Sequence, residues 1–188
     1  MRILIAHGFR ASPQQPGWLL WLAALLEKAG MQTYVPQFPN PHEPQVHEWV
    51  DTINQTLDGN FEEAVLIGHS LGGLAILKAL EQPNDTNADK AAAVILVGTP
   101  IDDVGREQII DFLPPLDWQK LKTRAQHFGF FYSEDDPYVP LAHGQQFAEL
   151  LDGHLQSFKD RGHFEQKEFL ELAQYLEHFL NIPGNFNW

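Results

Sequence analysis

The sequence AVLIGHSLGGLAILKAL, residues 64–80, decides the fold of this chain. Its first four residues are apolar and typical of a buried strand, and the stretch from Gly73 to Leu80 has helical spacing. Between them lies Gly68-His69-Ser70-Leu71-Gly72, which is Gly-x-Ser-x-Gly at a predicted strand-to-helix turn. Such a turn holds the serine in a strained backbone conformation with its hydroxyl exposed, and larger side chains at the two glycines would collide with neighbouring backbone. We therefore predict that Ser70 is a catalytic nucleophile.

Short apolar runs alternate with longer helical patterns on both sides of this stretch. The predicted strands are Arg2–Ala6, Gln32–Val35, Ala64–Gly68, Ala92–Val97, His127–Tyr132 and His154–Phe158. The predicted helices are Trp18–Ala29, Val46–Leu57, Leu71–Leu80, Asp117–Ala125, Ala142–Leu151 and Gln166–Leu180. The alternation predicts an α/β fold, a mostly parallel sheet of about six strands with helices on both faces. In such folds, functional sites form beyond the carboxyl ends of the strands.

Composition and charge exclude several other classes of protein. The chain has 188 residues, which we predict form one domain over residues 1–188. Its formal net charge of −13 disfavours binding to nucleic acid or to anionic membranes. The chain has no cysteine, which excludes a cysteine nucleophile and cysteine-ligated metals. The N-terminus MRILIAHG resembles neither a signal peptide nor a membrane anchor, so we expect a cytoplasmic location.

A serine nucleophile needs a histidine base, and in this architecture the base follows the last strand. Of the nine histidines, His163 alone lies in a loop between the last predicted strand and the last predicted helix. The others precede Ser70, lie within the turn itself, begin a strand or fall in a helical pattern: His7, His42, His47, His69, His127, His143, His154 and His178. We predict that His163 is the base.

The base in turn needs a carboxylate to orient it, and three adjacent carboxylates follow the fifth predicted strand. Among Glu134, Asp135 and Asp136, the last is favoured because Pro137 biases it toward an extended backbone conformation. Asp135 is the close alternative. Asp102 and Asp103 follow the fourth predicted strand and are a second alternative.

Two backbone N–H groups are expected to stabilise the negatively charged oxygen of a tetrahedral intermediate. One is that of Leu71, directly after the nucleophile. The other belongs to the loop after the first strand, where Gly8 permits a tight turn and the N–H of Phe9 is the best candidate, with Arg10 behind it.

The same motifs resemble the family of small single-domain α/β hydrolases related to YdeN and to retinoblastoma-binding protein 9. The resemblance covers nearly the whole chain and includes HGFRAS at 7–12, FPNP at 38–41, GHSLG at 68–72, DDP at 135–137 and GHF at 162–164. It implies the α/β-hydrolase fold and a catalytic triad of Ser70, Asp136 and His163. Binding to the retinoblastoma protein is not implied, because the associated Leu-x-Cys-x-Glu motif requires a cysteine.

These features predict a serine hydrolase that acts on a small acyl substrate, without a cofactor or metal. Carboxyl esters are the favoured substrate class, and thioesters or peptides are the next candidates. Only residues 98–116 separate the fourth strand from the next helical pattern, so we expect no cap domain over the site. The alternative is a non-catalytic protein-binding module that keeps the hydrolase scaffold.

Overall fold

Six parallel strands form the centre of the molecule in a computed structural model that describes residues 1–15, 17–82, 90–113 and 115–182. The strands are β1 (Arg2–Ala6), β2 (Gln32–Tyr34), β3 (Val65–His69), β4 (Ala91–Val97), β5 (Ala125–Ser133) and β6 (His154–Phe158). Their order across the sheet is β2-β1-β3-β4-β5-β6. The order reverses between β1 and β3, and this is where a parallel sheet opens a crevice for a ligand. The predicted parallel sheet of about six strands is confirmed.

Helices cover both faces of this sheet, which confirms the predicted arrangement of helices on either side of the strands. The helices are α1 (Trp18–Lys28), α2 (Val46–Thr56), α3 (Leu71–Glu81), α4 (Trp118–Lys122), α5 (Leu141–Leu151) and α6 (Leu170–Phe179). Side chains from α1 and α6 form a core on one face, and side chains from α2 to α5 form a second core on the other. Successive strand residues alternate between the two cores: Ile3 and Ile5 belong to the first, Leu4 and Ala6 to the second.

Two helices are shorter than the sequence predicts by four or more residues, and tertiary contacts explain one of them. The predicted helix Asp117–Ala125 ends at Lys122, because Ala125 pairs with Ala91 and begins β5 instead. The predicted helix Gln166–Leu180 begins only at Leu170.

Residues 98–116 contribute a 3-10 helix, Glu107–Phe112, that packs against α3. Ile109 and Phe112 are buried there, while Ile110 is half exposed. Within the described ranges, no helix combines the length and the apolar character needed to cross a lipid bilayer.

Candidate active site

Ser70 lies at the sharp turn between β3 and α3, in a backbone conformation that serine rarely adopts. Its φ of 52° and ψ of −124° fall outside the regions that L residues prefer. Such strain is typical of functional positions, where the surrounding structure holds it in place. Two backbone hydrogen bonds do so here: the Ser70 N–H donates to the Val97 carbonyl at 2.8 Å, and the Ser70 carbonyl accepts from the Gly73 N–H at 3.0 Å.

The glycines around Ser70 allow its neighbours to approach closely. A Cβ at Gly68 would lie 2.4 Å from the Gly73 Cα, and one at Gly72 would lie 2.6 Å from the Ala6 carbonyl oxygen. A Cβ at Gly8, just after β1, would lie 2.9 Å from the Ser70 Cβ. Any side chain at these positions would therefore displace the turn, and Gly8 places the β1 loop directly against Ser70.

His163 and Asp136 are in direct contact. The distance between His163 Nδ1 and Asp136 Oδ2 is 2.8 Å, and the Asp136 side chain is fully buried. The other oxygen of this carboxylate, Oδ1, accepts the N–H groups of Tyr138 and Val139, both at 2.9 Å. Because an ionised carboxylate only accepts hydrogen bonds, the proton of a neutral His163 lies on Nδ1 and leaves Nε2 free to accept another.

Ser70 and His163 line the same cleft, which has a volume of about 660 Å³. Their side chains are not joined by a hydrogen bond in the part of the chain that the structure describes. Hydrogen bonds between catalytic groups are often long in the free enzyme and tighten when substrate binds. The structure thus brings together the predicted base and acid, and it places the predicted nucleophile in the same cleft.

The alternative acids contact other groups. Asp135 Oδ1 accepts the Ser133 hydroxyl at 2.6 Å and the Gly162 N–H at 2.8 Å, and these bonds, the hydroxyl first, lower the pKa of Asp135. It therefore braces the loop that carries His163. Asp102 Oδ2 lies 3.3 Å from Nε2 of the buried His143, and Asp103 accepts the Gly105 N–H at 2.8 Å.

Both predicted oxyanion donors are available. Among the described residues, neither the Leu71 N–H nor the Phe9 N–H has a protein acceptor, whereas the Arg10 N–H donates to the Pro41 carbonyl at 2.8 Å. In the β1 loop, the Arg10 N–H is therefore already used in a hydrogen bond, and the Phe9 N–H is the candidate that can donate to a substrate oxygen.

His7 has a positioning role that its place in the sequence did not reveal. The Phe38 N–H donates to His7 Nε2 at 3.1 Å, so the ring proton lies on Nδ1 and is donated to the Gly8 carbonyl at 2.9 Å. Because the C=O and N–H of one trans peptide point in opposite directions, this bond also fixes the direction of the Phe9 N–H. Burial lowers the pKa of His7, which favours the neutral ring that both bonds require.

The loop that carries His163 is held by two further side chains that sequence reasoning missed. His69 Nε2 donates to the His163 carbonyl at 2.8 Å, and Trp18 Nε1 donates to the Phe164 carbonyl at 2.9 Å. Burial, followed by the nearby His163, lowers the pKa of His69 to about 3, so its ring is neutral. These contacts join residues 94 and 146 positions apart in the chain.

A metal site is not evident in the ranges that the structure describes. No group of three or more histidine, aspartate or glutamate side chains converges there as ligands would.

Comparison with known proteins gives the family. The model of the family described as serine hydrolase matches residues 3–179. The serine hydrolase RBBP9 of Rattus norvegicus is 32% identical to this chain over 168 residues, 87% of each protein. YdeN of Bacillus subtilis is 31% identical over 169 residues, which cover 89% of this chain and 87% of YdeN.

Solved structures agree with this relationship. The crystal structure of the ydeN gene product matches 96% of this chain and 98% of its own, with a TM-score of 0.87 and 27% sequence identity. The Pyrococcus furiosus esterase Pf2001 has a TM-score of 0.70 over 96% of this chain and 82% of its own, but at 15% identity it supports the fold alone. The predicted α/β-hydrolase fold and the resemblance noted from the sequence are both confirmed. The chain belongs to the serine hydrolase family.

Proposed function

We propose that this hydrolase cleaves small carboxyl esters through a triad of Ser70, His163 and Asp136. The observation that carries the proposal is the contact of 2.8 Å between His163 and a fully buried Asp136, in the cleft that also contains the strained Ser70. A buried carboxylate beside a loop histidine, with a serine at a strand-to-helix turn nearby, is the arrangement that activates a hydroxyl for acyl transfer.

The first half of the reaction forms an acyl-enzyme. Ser70 Oγ attacks the ester carbonyl carbon while His163 Nε2 accepts its proton, and Asp136 stabilises the resulting imidazolium. The N–H groups of Phe9 and Leu71 donate to the negative oxygen of the tetrahedral intermediate. His163 then gives the proton to the departing alcohol, which leaves the acyl group on Ser70.

Water completes the cycle by the same route. His163 Nε2 takes a proton from a water molecule that attacks the acyl carbonyl, and returns a proton to Ser70 Oγ as the acid leaves. Neutral His163 is therefore required in both halves of the reaction.

The test compares two serines in one cleft. Ser70→Ala should lower kcat for 4-nitrophenyl butyrate by on the order of 10⁴–10⁶-fold. Ser12→Ala is the matched control, because Ser12 also lines the cleft but belongs to the β1 loop. Retained hydrolysis in Ser70→Ala would remove Ser70 from the mechanism, and no hydrolysis of any acyl ester by the native protein would favour the non-catalytic binding module.

A further inference from the structure

Two arginine side chains line the cleft of a protein that carries a large net negative charge. The chain carries 12 lysines and arginines against 25 carboxylates, so positive charge is scarce. Histidines aside, the charged side chains that line the cleft in the described part of the chain are nevertheless Arg10, Arg106 and Glu165, and Asp136 is buried behind His163. Cationic side chains concentrated at a cleft attract anions to it.

The two guanidinium groups lie around one aromatic ring next to the catalytic groups. Their Cζ atoms are 4.9 Å (Arg10) and 5.6 Å (Arg106) from the centre of the Phe9 ring. Arg106 also lies 5.4 Å from the centre of the Tyr138 ring, which in turn contacts the His163 ring at 5.2 Å. Arg106 therefore links the Phe9 ring of the β1 loop to the Tyr138 ring, which contacts the proposed base.

Neither arginine has a carboxylate partner in the ranges that the structure describes. By contrast, Arg161 forms salt bridges with Asp160 and with Glu171. A guanidinium group over an aromatic ring keeps its N–H groups available for an anion. Arginine is also the side chain that binds a carboxylate through two parallel hydrogen bonds.

The backbones of both arginines are fixed in place. The Arg10 N–H donates to the Pro41 carbonyl at 2.8 Å, and the Arg106 N–H donates to the Asp103 carbonyl at 2.7 Å. Arg10 has a φ of 56°, in the left-handed region that arginine rarely adopts. The hydrogen bond to Pro41 helps to hold the loop in this conformation.

We propose that Arg10 and Arg106 form an anion-binding subsite, and that the preferred substrates of the cleft are esters that also carry a free carboxylate. The reaction at the ester rests on the proposed function above. Binding of the carboxylate depends only on the two arginines.

The kinetic test uses two esters of equal acyl length, 4-nitrophenyl hemiglutarate and 4-nitrophenyl valerate. The measured quantity is the ratio of kcat/KM for the anionic ester to that for the neutral ester. Arg10→Gln and Arg106→Gln should each lower this ratio roughly 3- to 10-fold, and 0.5 M NaCl should lower it in the native protein. Lys28→Gln, at the exposed end of α1 and outside the cleft, should leave the ratio unchanged. A ratio that stays at the native value in both arginine variants would overturn the subsite.

A binding measurement separates the subsite from catalysis. Calorimetric titration of the Ser70→Ala protein compares monomethyl glutarate with methyl valerate. We expect tighter binding of the anionic ester, and loss of this preference when Arg10→Gln and Arg106→Gln are added. Equal binding of both esters overturns the subsite whether or not the protein is an esterase. If the Ser70→Ala protein prefers the anionic ester but the native protein hydrolyses no ester, the subsite stands and only the proposed function is refuted.

Discussion

The adjacent carboxylates Asp135 and Asp136 allow the role of the triad acid to be tested by a matched pair of substitutions. Asp136→Asn and Asp135→Asn each remove one negative charge and one ionisable oxygen from neighbouring positions. Only Asp136 contacts His163, whereas Asp135 accepts the Ser133 hydroxyl and the Gly162 N–H. A difference in activity between the two variants therefore reports the contact with His163 rather than the change in net charge.

The expected magnitude follows from the hydrogen bonds of the buried Asp136 side chain. In Asp136→Asn, the amide oxygen keeps the two N–H donors, Tyr138 and Val139, and the NH₂ group faces His163. His163 Nδ1 must then accept, so the ring proton moves to Nε2 and the base can no longer take the proton of Ser70. We expect kcat to fall on the order of 10⁴-fold, about 5.4 kcal/mol of transition-state stabilisation. In Asp135→Asn, the amide oxygen still accepts both bonds, so we expect a loss of less than about 5-fold.

The assay is steady-state hydrolysis of 4-nitrophenyl butyrate at pH 7.5, with thermal unfolding to show that each variant is folded. The reasoning would be refuted if folded Asp136→Asn kept kcat within 10-fold of the native value. An equal loss in Asp135→Asn would refute it as well, because charge rather than the contact would then set the rate.

Two further predictions concern the surroundings of the triad. Gly8→Ala places a Cβ 2.9 Å from the Ser70 Cβ, which would displace the turn that holds Ser70. We expect kcat for ester hydrolysis to fall roughly 10- to 100-fold, and the free energy of unfolding in urea to fall by about 1–3 kcal/mol. Gly17→Ala is the control, because its nearest neighbour would be 4.0 Å away, and comparable losses in both variants would contradict the close approach at Ser70. The second prediction concerns His69, whose pKa is about 3 in the folded protein against 6.5 ordinarily, so the unfolded chain binds a proton there that the folded chain does not. The free energy of unfolding should therefore fall as pH is lowered from about 6.5 toward 3, with His69 contributing up to about 1.4 kcal/mol per pH unit. The measurement is urea unfolding at pH 7, 6 and 5, in which His69→Phe should reduce the dependence of the free energy of unfolding on pH. The exposed control His42→Phe should not reduce it. Equal slopes in the native protein and both variants would exclude this role for His69.

The fold was readable from the sequence because its signals are local. The turn at Gly68–Gly72 and the continuous apolar strands require only neighbouring residues to be recognised. The boundary between α4 and β5 was misplaced because Ala125 joins the sheet through its pairing with Ala91, which no local pattern of helical residues reveals. The residues alone likewise leave Asp135 as an alternative to Asp136. The geometry of the turn decides which of the two adjacent side chains faces His163, and a local sequence pattern does not reveal it.

The positioning residues could not be predicted, because their partners are distant in sequence. The positions of His7 and His69 in the sequence disfavour a role as base, yet their side chains hydrogen-bond to the Gly8 and His163 carbonyls. Their roles depend on backbone atoms brought close by the sheet, and a histidine in the sequence carries no sign of which carbonyl it will contact. The two arginines of the cleft are 96 residues apart and meet only at the Phe9 ring.

The most direct test of the triad is the reaction of a fluorophosphonate with the native protein and with His163→Ala, followed by mass spectrometry of the digested peptides. We predict one label per native chain, on Ser70, and a labelling rate in His163→Ala lower by at least about 100-fold. A label on Ser12, Ser133 or Ser157 instead, or an unchanged rate without the imidazole, would contradict the account.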